Sequence, residues 1–238
     1  MRIFAGTSGF SYAEWKGRFY PEALPDAQML RFYSSRLPTV EINNTFYRLP
    51  KEHVLKEWAS RVPGTFTFAI KASQRITHHA RLKAECAGPL EFLLKMTTAL
   101  GSQLGPILFQ LPPNLKKDAP RLQAFLAMLP PDRRYAIEFR NTTWFDDETY
   151  DALRARDIAL CVSEQPEFAT PVVSTASWGY ARLHRLDYSE TQLADWARQI
   201  AALPWSEAYV YLKHDEGTGS GPPAVSTFTR GFDRPMSG

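Results

Sequence analysis

Short apolar runs, each followed by a longer polar or amphipathic stretch, constrain this chain more than any other feature. They lie at Arg2 to Gly6, Thr39 to Ile42, Thr65 to Lys71, Pro106 to Leu111, Arg134 to Arg140, Ile158 to Val162, Gly179 to His184 and Ala208 to Lys213. Several are rich in β-branched and aromatic residues, and Gly or Pro often flanks them, as in strands. Helical patterns fall between: Pro25 to Arg36, Lys51 to Ser60, Leu90 to Leu104, Asp118 to Leu129, Asp146 to Arg156 and Ser189 to Leu203. Asp118 is a cap candidate with Pro120 in the first turn, and Ser189 with Gln192 forms a capping-box pattern. Alternation of this kind predicts an α/β chain, and eight strands suit a single (β/α)8 TIM-barrel-like domain. The domain is expected over residues 1–232, with 233–238 as a flexible C-terminal tail. Irregularity is expected in the sixth connection, Ser163 to Trp178, which holds Pro166 and Pro171. The eighth helix, Pro222 to Phe232, is expected to be short. An open doubly wound sheet is the alternative, disfavoured because no Gly-x-Gly-x-x-Gly follows any strand.

The length of 238 residues is enough for one such barrel. A hydrophobic share of 44% supplies a full core. The net charge of +3 is mild, so a nucleic-acid partner is allowed but not favoured. The two cysteines, Cys86 and Cys161, form neither a metal spacing nor a disulfide framework, which fits a reducing compartment. The first residues lack the apolar core of a signal peptide, and no apolar stretch approaches the ~20 residues of a membrane helix. A cytoplasmic location and no membrane partner are the expectations.

In a barrel of this kind the site lies at the C-terminal ends of the strands, where side chains alternate between interior and helix layer. A parity test then selects residues. Glu41 and Asn43 share a face, opposite Val40 and Ile42. Lys71 shares parity with Ala69. Gln110 opposes Phe109 and Leu111. Glu138 and Arg140 share a face, as do Arg182 and His184. Lys213, His214 and Asp215 are consecutive, so their directions stay open. Any one of these residues fits a structural polar network equally well; the set as a whole points to a site. Lys71, Arg140 and Arg182 outnumber Glu41 and Glu138 and suit a phosphate or carboxylate. Glu41 and Glu138 are the candidate general bases, with His184 as a candidate proton carrier. Tyr47 and His78 lie in loops after the second and third strands, within reach of a substrate. A divalent metal on Glu41, Glu138, His184 and Asp215 has suitable ligand types, but the interleaved cations argue against it. No cofactor is expected.

The first loop, Thr7 to Pro21, is densely aromatic with basic residues interspersed. Most of these aromatics read as the loop's own packing. Tyr12 and Trp15 are the candidates for ligand contact. Trp144-Phe145 after the fifth strand is either a wall of the mouth or local packing.

Five segments in order carry a resemblance. They are Gly6-Thr7-Ser8-Gly9-Phe10-Ser11-Tyr12; Val40 through Pro50; Phe109-Gln110-Leu111-Pro112-Pro113; Glu138-Phe139-Arg140 followed by Trp144-Phe145; and Arg182-Leu183-His184. Together they resemble the YecE-like family, the domain of unknown function 72, from Ile3 to about Asp215. The resemblance implies a somewhat irregular TIM-barrel-like fold with a polar pocket at the strand ends, and it supplies no reaction. The family often has an Asn-Asp type pair after the last strand; here Asp215 matches the acid. The expectation is an enzyme, a hydrolase, lyase or isomerase without a redox cofactor. It would act on a small anionic or sugar-like substrate by acid/base chemistry. Glu41, Glu138 and His184 would be catalytic. Asn43, Tyr47, Lys71, His78, Gln110, Arg140, Arg182, Asp215, Tyr12 and Trp15 would bind substrate. The alternatives are a nucleic-acid-binding or processing protein and a non-catalytic ligand-binding barrel.

Overall fold

A computed structural model describes residues 1–213 and 221–233. Its strands are β1 (Arg2–Ser8), β2 (Thr39–Ile42), β3 (Thr67–Lys71), β4 (Leu104–Gln110), β5 (Tyr135–Glu138), β6 (Ala159–Gln165), β7 (Phe168–Ala169), β8 (Gly179–Leu183) and β9 (Glu207–Leu212). Their order is β5-β4-β3-β2-β1-β9-β8-β6-β7, and β5 also pairs with β6. Eight strands therefore close into a parallel barrel. The short β7 lies antiparallel on β6.

The helices are α1 (Met29–Ser34), α2 (Glu52–Ser60), α3 (Ala87–Thr97), α4 (Ala119–Ala127), α5 (Asp147–Arg154), α6 (Glu190–Ala201) and α7 (Pro222–Asp233). Local chemistry sets several of their starts. The Asp118 side chain accepts from the Arg121 N–H, and Asp146 accepts from the Thr149 N–H. Ser189 and Gln192 form the reciprocal capping box. The pattern expected to continue to Leu104 stops at Thr97 and gives way to a 3-10 segment, Thr98–Gln103. There Gly101, at φ 54°, turns the chain so that Leu104 begins β4. The sixth connection is irregular as expected and holds β7. The last helix is not short: α7 spans 12 residues, as many as α6, and the two pack together. It also takes in Asp233; the rest of the expected tail lies outside the described residues.

Two cores result. The larger lies between barrel and helices. The smaller fills the barrel, where Phe4, Ala69, Leu108, Ala136, Ala159, Cys161, Trp178, Tyr180, Tyr209 and Tyr211 pack together. Phe4 stacks on Tyr209 at 4.7 Å, and Trp178 meets Tyr209 edge-on. Small residues make room for these rings. A Cβ at Gly6 would sit 2.1 Å from the Thr39 carbonyl oxygen, so β1 and β2 approach this closely only with glycine there. The aromatic plug closes the barrel below the polar ends of the strands.

Candidate functional site at the barrel mouth

Above the plug the interior face turns polar at the ends of neighbouring strands. Ser8 ends β1, Lys71 ends β3, Gln110 ends β4, Glu138 ends β5 and Gln165 ends β6. Glu41 and Arg182 sit at the same level on β2 and β8. The pleat that sends Ala69, Leu108, Ala136 and Tyr180 inward sends these residues inward as well.

Arg182 is the centre. Its Nη1 donates to Glu138 Oε2 at 2.6 Å and its Nη2 to Glu41 Oε1 at 3.1 Å. Its Nε lies 3.0 Å from Glu41 Oε2, but not aligned for a hydrogen bond, so that contact is an ion pair only. Glu41 and Glu138 have no exposed surface, and Arg182 is 3% exposed. Further donors fill the carboxylates. Ser8 Oγ, at 2.7 Å, and Asn43 Nδ2, at 3.2 Å, donate to Glu41 Oε1. Tyr180 Oη donates to Oε2 at 2.7 Å. Gln110 Nε2 lies 2.9 Å from both oxygens of Glu138, and Arg140 Nε donates to Oε1 at 2.9 Å. Gln165 Nε2 adds a longer bond to that oxygen at 3.3 Å.

Burial by itself would raise both carboxyl pKa values. The Arg182 guanidinium and the hydrogen bonds more than reverse this, holding Glu41 below its ordinary value and Glu138 down at about 2. Both are ionised near neutrality, with their lone pairs directed at fixed donors.

Ser8 links this centre to His184. The Ser8 hydroxyl has one proton, and it points at Glu41. The contact of 3.0 Å between Ser8 Oγ and His184 Nε2 must therefore be donated by the histidine. Burial, then Arg182, push the His184 pKa well below normal, so the ring is neutral. Its proton sits on Nε2, and Nδ1 has no hydrogen-bond donor among the described residues. Replacing Ser8 by Ala is expected to release this tautomer, read as a change in the His184 ring-nitrogen NMR shifts. Unchanged shifts would exclude Ser8 as the residue that sets it.

A half-buried layer lies above the triad. Lys71 Nζ sits 4.3 Å from the Phe46 ring centroid and has no carboxylate partner among the described residues. Burial, reinforced by Arg182, lowers its pKa to about 8. The His78 ring meets Phe46 edge-on at 4.9 Å, and its Nδ1 lies 2.9 Å from Thr77 Oγ1. Burial and the Lys71 charge lower its pKa too. Arg140 is 29% exposed, with Nε held on Glu138. Lys213 continues the inward parity of Tyr209 and Tyr211 and weighs on His184. Among the described residues Glu41 and Glu138 thus balance Arg182 and Arg140, and Lys71 and the exposed Lys213 are left over.

Other expected residues lie elsewhere. Trp15 is fully buried, packed against Tyr12, Phe19, Tyr20 and Tyr33, because the first loop folds over its own aromatics. It belongs to the core and has no surface open to a ligand. Tyr12 donates to the Ser8 carbonyl oxygen at 2.6 Å and so braces the mouth from behind. Tyr47 is 74% exposed and stands outside the triad. It lines a separate cleft of about 380 Å³ with Arg48, Arg75 and Phe92. Trp144 is buried and stacked on Phe139. Asp215 and His214 lie outside the described residues. Among the described residues no three His, Cys, Asp or Glu side chains converge as metal ligands. Arg182 stands between Glu41 and Glu138, where a shared metal would have to sit.

Sequence reasoning missed Ser8, Tyr180 and Gln165. Tyr180 carries the signal, two residues before Arg182 on the same strand. Ser8 and Gln165 lay just beyond the strand ends expected at Gly6 and Val162.

Fold and site define a TIM-barrel-like α/β protein whose mouth is built on a buried carboxylate–arginine–carboxylate triad. The chain belongs to the family described as "Protein of unknown function DUF72", whose model matches residues 4–236. It is 28% identical over 224 residues to the UPF0759 protein YunF of Bacillus subtilis, covering 88% of this chain and 78% of that one. It is also 32% identical over 117 residues to the UPF0759 protein YecE of Escherichia coli, covering 49% of this chain and 43% of that one. A DUF72 family protein from Thermotoga maritima has the same fold, with TM-score 0.84 and 24% identity over 98% of this chain and all of that one. A DUF72 family protein from Enterococcus faecalis superposes with TM-score 0.81 at 19% identity, covering 98% of this chain and 96% of that one. No helix of the described residues is long and apolar enough to cross a membrane.

Proposed function

We propose that the mouth binds a small molecule bearing a carboxylate or phosphate and carries out proton-transfer chemistry on it. The observation that carries this reading is the pair of cations above the triad, Arg140 and Lys71. Arg140 is anchored through Nε, and its two terminal nitrogens have no partner among the described residues. Lys71 is a further cation without a carboxylate partner among the described residues. A guanidinium fixed along one edge presents the other to an anion with little entropy left to lose.

The roles divide by exposure. Glu41 and Glu138 are weak bases here, being buried, saturated with donors and lowered in pKa. They hold Arg182, Arg140 and, through Ser8, His184 in place. The Lys71 amine, lowered only to about 8, is the group able to take up a proton, whereas His184, held neutral, serves to orient the substrate. Asn43 and Gln165 border the same space. Trp15 is unavailable to stack on a base, which removes one support for the nucleic-acid alternative.

Isothermal titration with inorganic phosphate and with small carboxylates tests the reading. Binding is expected to weaken about tenfold or more in Arg140→Met, equivalent to ~1.4 kcal/mol or more, with the fold intact by circular dichroism. Equal binding by the two proteins would end it.

A further inference from the structure

We propose that Lys71 is a reactive amine that condenses with the carbonyl group of a small 2-oxo acid whose carboxylate is held by Arg140. This rests on the anion-binding reading and names its substrate class. Lys71 is the last residue of β3 and points into the barrel beside the triad. Among the described residues Lys16 pairs with Asp26, Lys56 with Glu52, and Lys117 with Asp146 and Glu148. Lys51, Lys83, Lys95, Lys116 and Lys213 form no ion pair there but are exposed, whereas Lys71 is unpaired and half-buried. The two carboxylates near it are already committed to arginines, and its Nζ rests on the face of Phe46.

Several charged and titratable groups act on this amine. Burial, Arg182 and Arg140 favour the neutral form, while Glu41 and Glu138 favour the charged form. His78 and His184 are neutral neighbours. With the pKa at about 8, roughly a tenth of the amine is unprotonated at pH 7, against a few in ten thousand for an ordinary lysine. An amine desolvated and crowded by cations is the form in which lysine acts as a nucleophile.

The step balances without a redox partner. The neutral Nζ adds its lone pair to the carbonyl carbon, and the nitrogen's surplus proton passes to the carbonyl oxygen, giving a carbinolamine. The hydroxyl then takes the proton that the Lys71 ammonium released on becoming neutral and leaves as water, while the nitrogen lone pair closes the C=N bond of an iminium ion. His78 packs edge-on against the same Phe46 ring that Lys71 rests on, and we assign it to carry the proton between nitrogen and oxygen. The iminium draws electrons from the adjacent carbon, so a C–H or C–C bond there is the bond that would subsequently break.

The test incubates the full chain with pyruvate, adds sodium borohydride to reduce any iminium to a secondary amine, and maps adducts by peptide mass spectrometry. One adduct is expected, on the Lys71 peptide, forming about tenfold or more faster than at any other lysine. Its rate should level off above pH about 8, whereas surface lysines go on gaining reactivity toward about 10.4. Lys71→Arg should abolish it and Lys213→Arg should not. Adducts spread over exposed lysines, with Lys71 no faster, overturn the inference, and so does undiminished labelling of Lys71→Arg. Mapping on the unmodified sequence does not depend on any variant folding. If no adduct forms while phosphate still binds through Arg140, the covalent step fails and the anion site stands. If neither occurs, both fall.

Discussion

Replacing Arg182 by Met is expected to destabilise the protein by about 3–5 kcal/mol, the largest effect of any single substitution at the mouth. Two carboxylates without exposed surface share this one guanidinium. Removing it leaves Glu41 with hydrogen bonds from Ser8, Asn43 and Tyr180 but no counter-charge. Glu138 keeps Arg140, which is partly open to solvent and screened by it. Guanidinium chloride denaturation measures the loss as a lower midpoint at unchanged slope. Adding Glu41→Gln and Glu138→Gln to the Arg182→Met variant should recover much of it, because neutral amides leave no buried charge uncompensated. A loss below about 1 kcal/mol in the single variant would mean that the triad is wetter than its burial implies.

Acid should weaken the protein through the same residues. Glu138 is lowered from an ordinary 4.5 to about 2, so the stability it contributes is present above about pH 4.5 and disappears as pH falls through about 2. The shift corresponds to about 3 kcal/mol. Glu41 is shifted in the same direction and adds to the loss. Denaturation midpoints measured from pH 7 downward should therefore drop steeply below pH 4.5, and Glu138→Gln should flatten that part of the curve. Parallel curves for the two proteins would show that Glu138 does not carry the acid sensitivity. Exposed pairs such as Lys56 with Glu52 are not expected to reproduce the effect, since solvent screens them.

Most of the fold was legible before the structure. Each of the eight expected barrel strands is present, and β2 has the expected ends, because a strand buried on both faces announces itself as a short apolar run between turns. Helix starts at Asp118, Asp146 and Ser189 were legible because capping is local chemistry. The length of α7 was not, since its Pro-Pro start and Gly231 hide a helix that gains stability by packing on α6. Parity selected Glu41, Lys71, Gln110, Glu138, Arg140, Arg182 and His184, and the barrel brings all of them to one end. Trp15 misled because its aromatic-basic context is the same for a ligand platform and for a self-packed loop. Only burial separates the two.

The sequence by itself determined the strand-helix order, the inward parity of the polar strand ends and the membership of a family. All three depend on neighbours in the chain or on the two-residue period of a strand. Tertiary structure alone decided which charges meet. Arg182 is 141 residues from Glu41 along the chain, yet it bridges Glu41 and Glu138. Among the described residues that choice leaves Lys71 without an acid and Arg140 with a free edge. The pairing follows from barrel closure, through β1 with β9 and β5 with β6, which brings distant strand ends within hydrogen-bonding distance. The chemistry of the mouth is set by that closure, because a charge's reactivity depends on which partner it has been given.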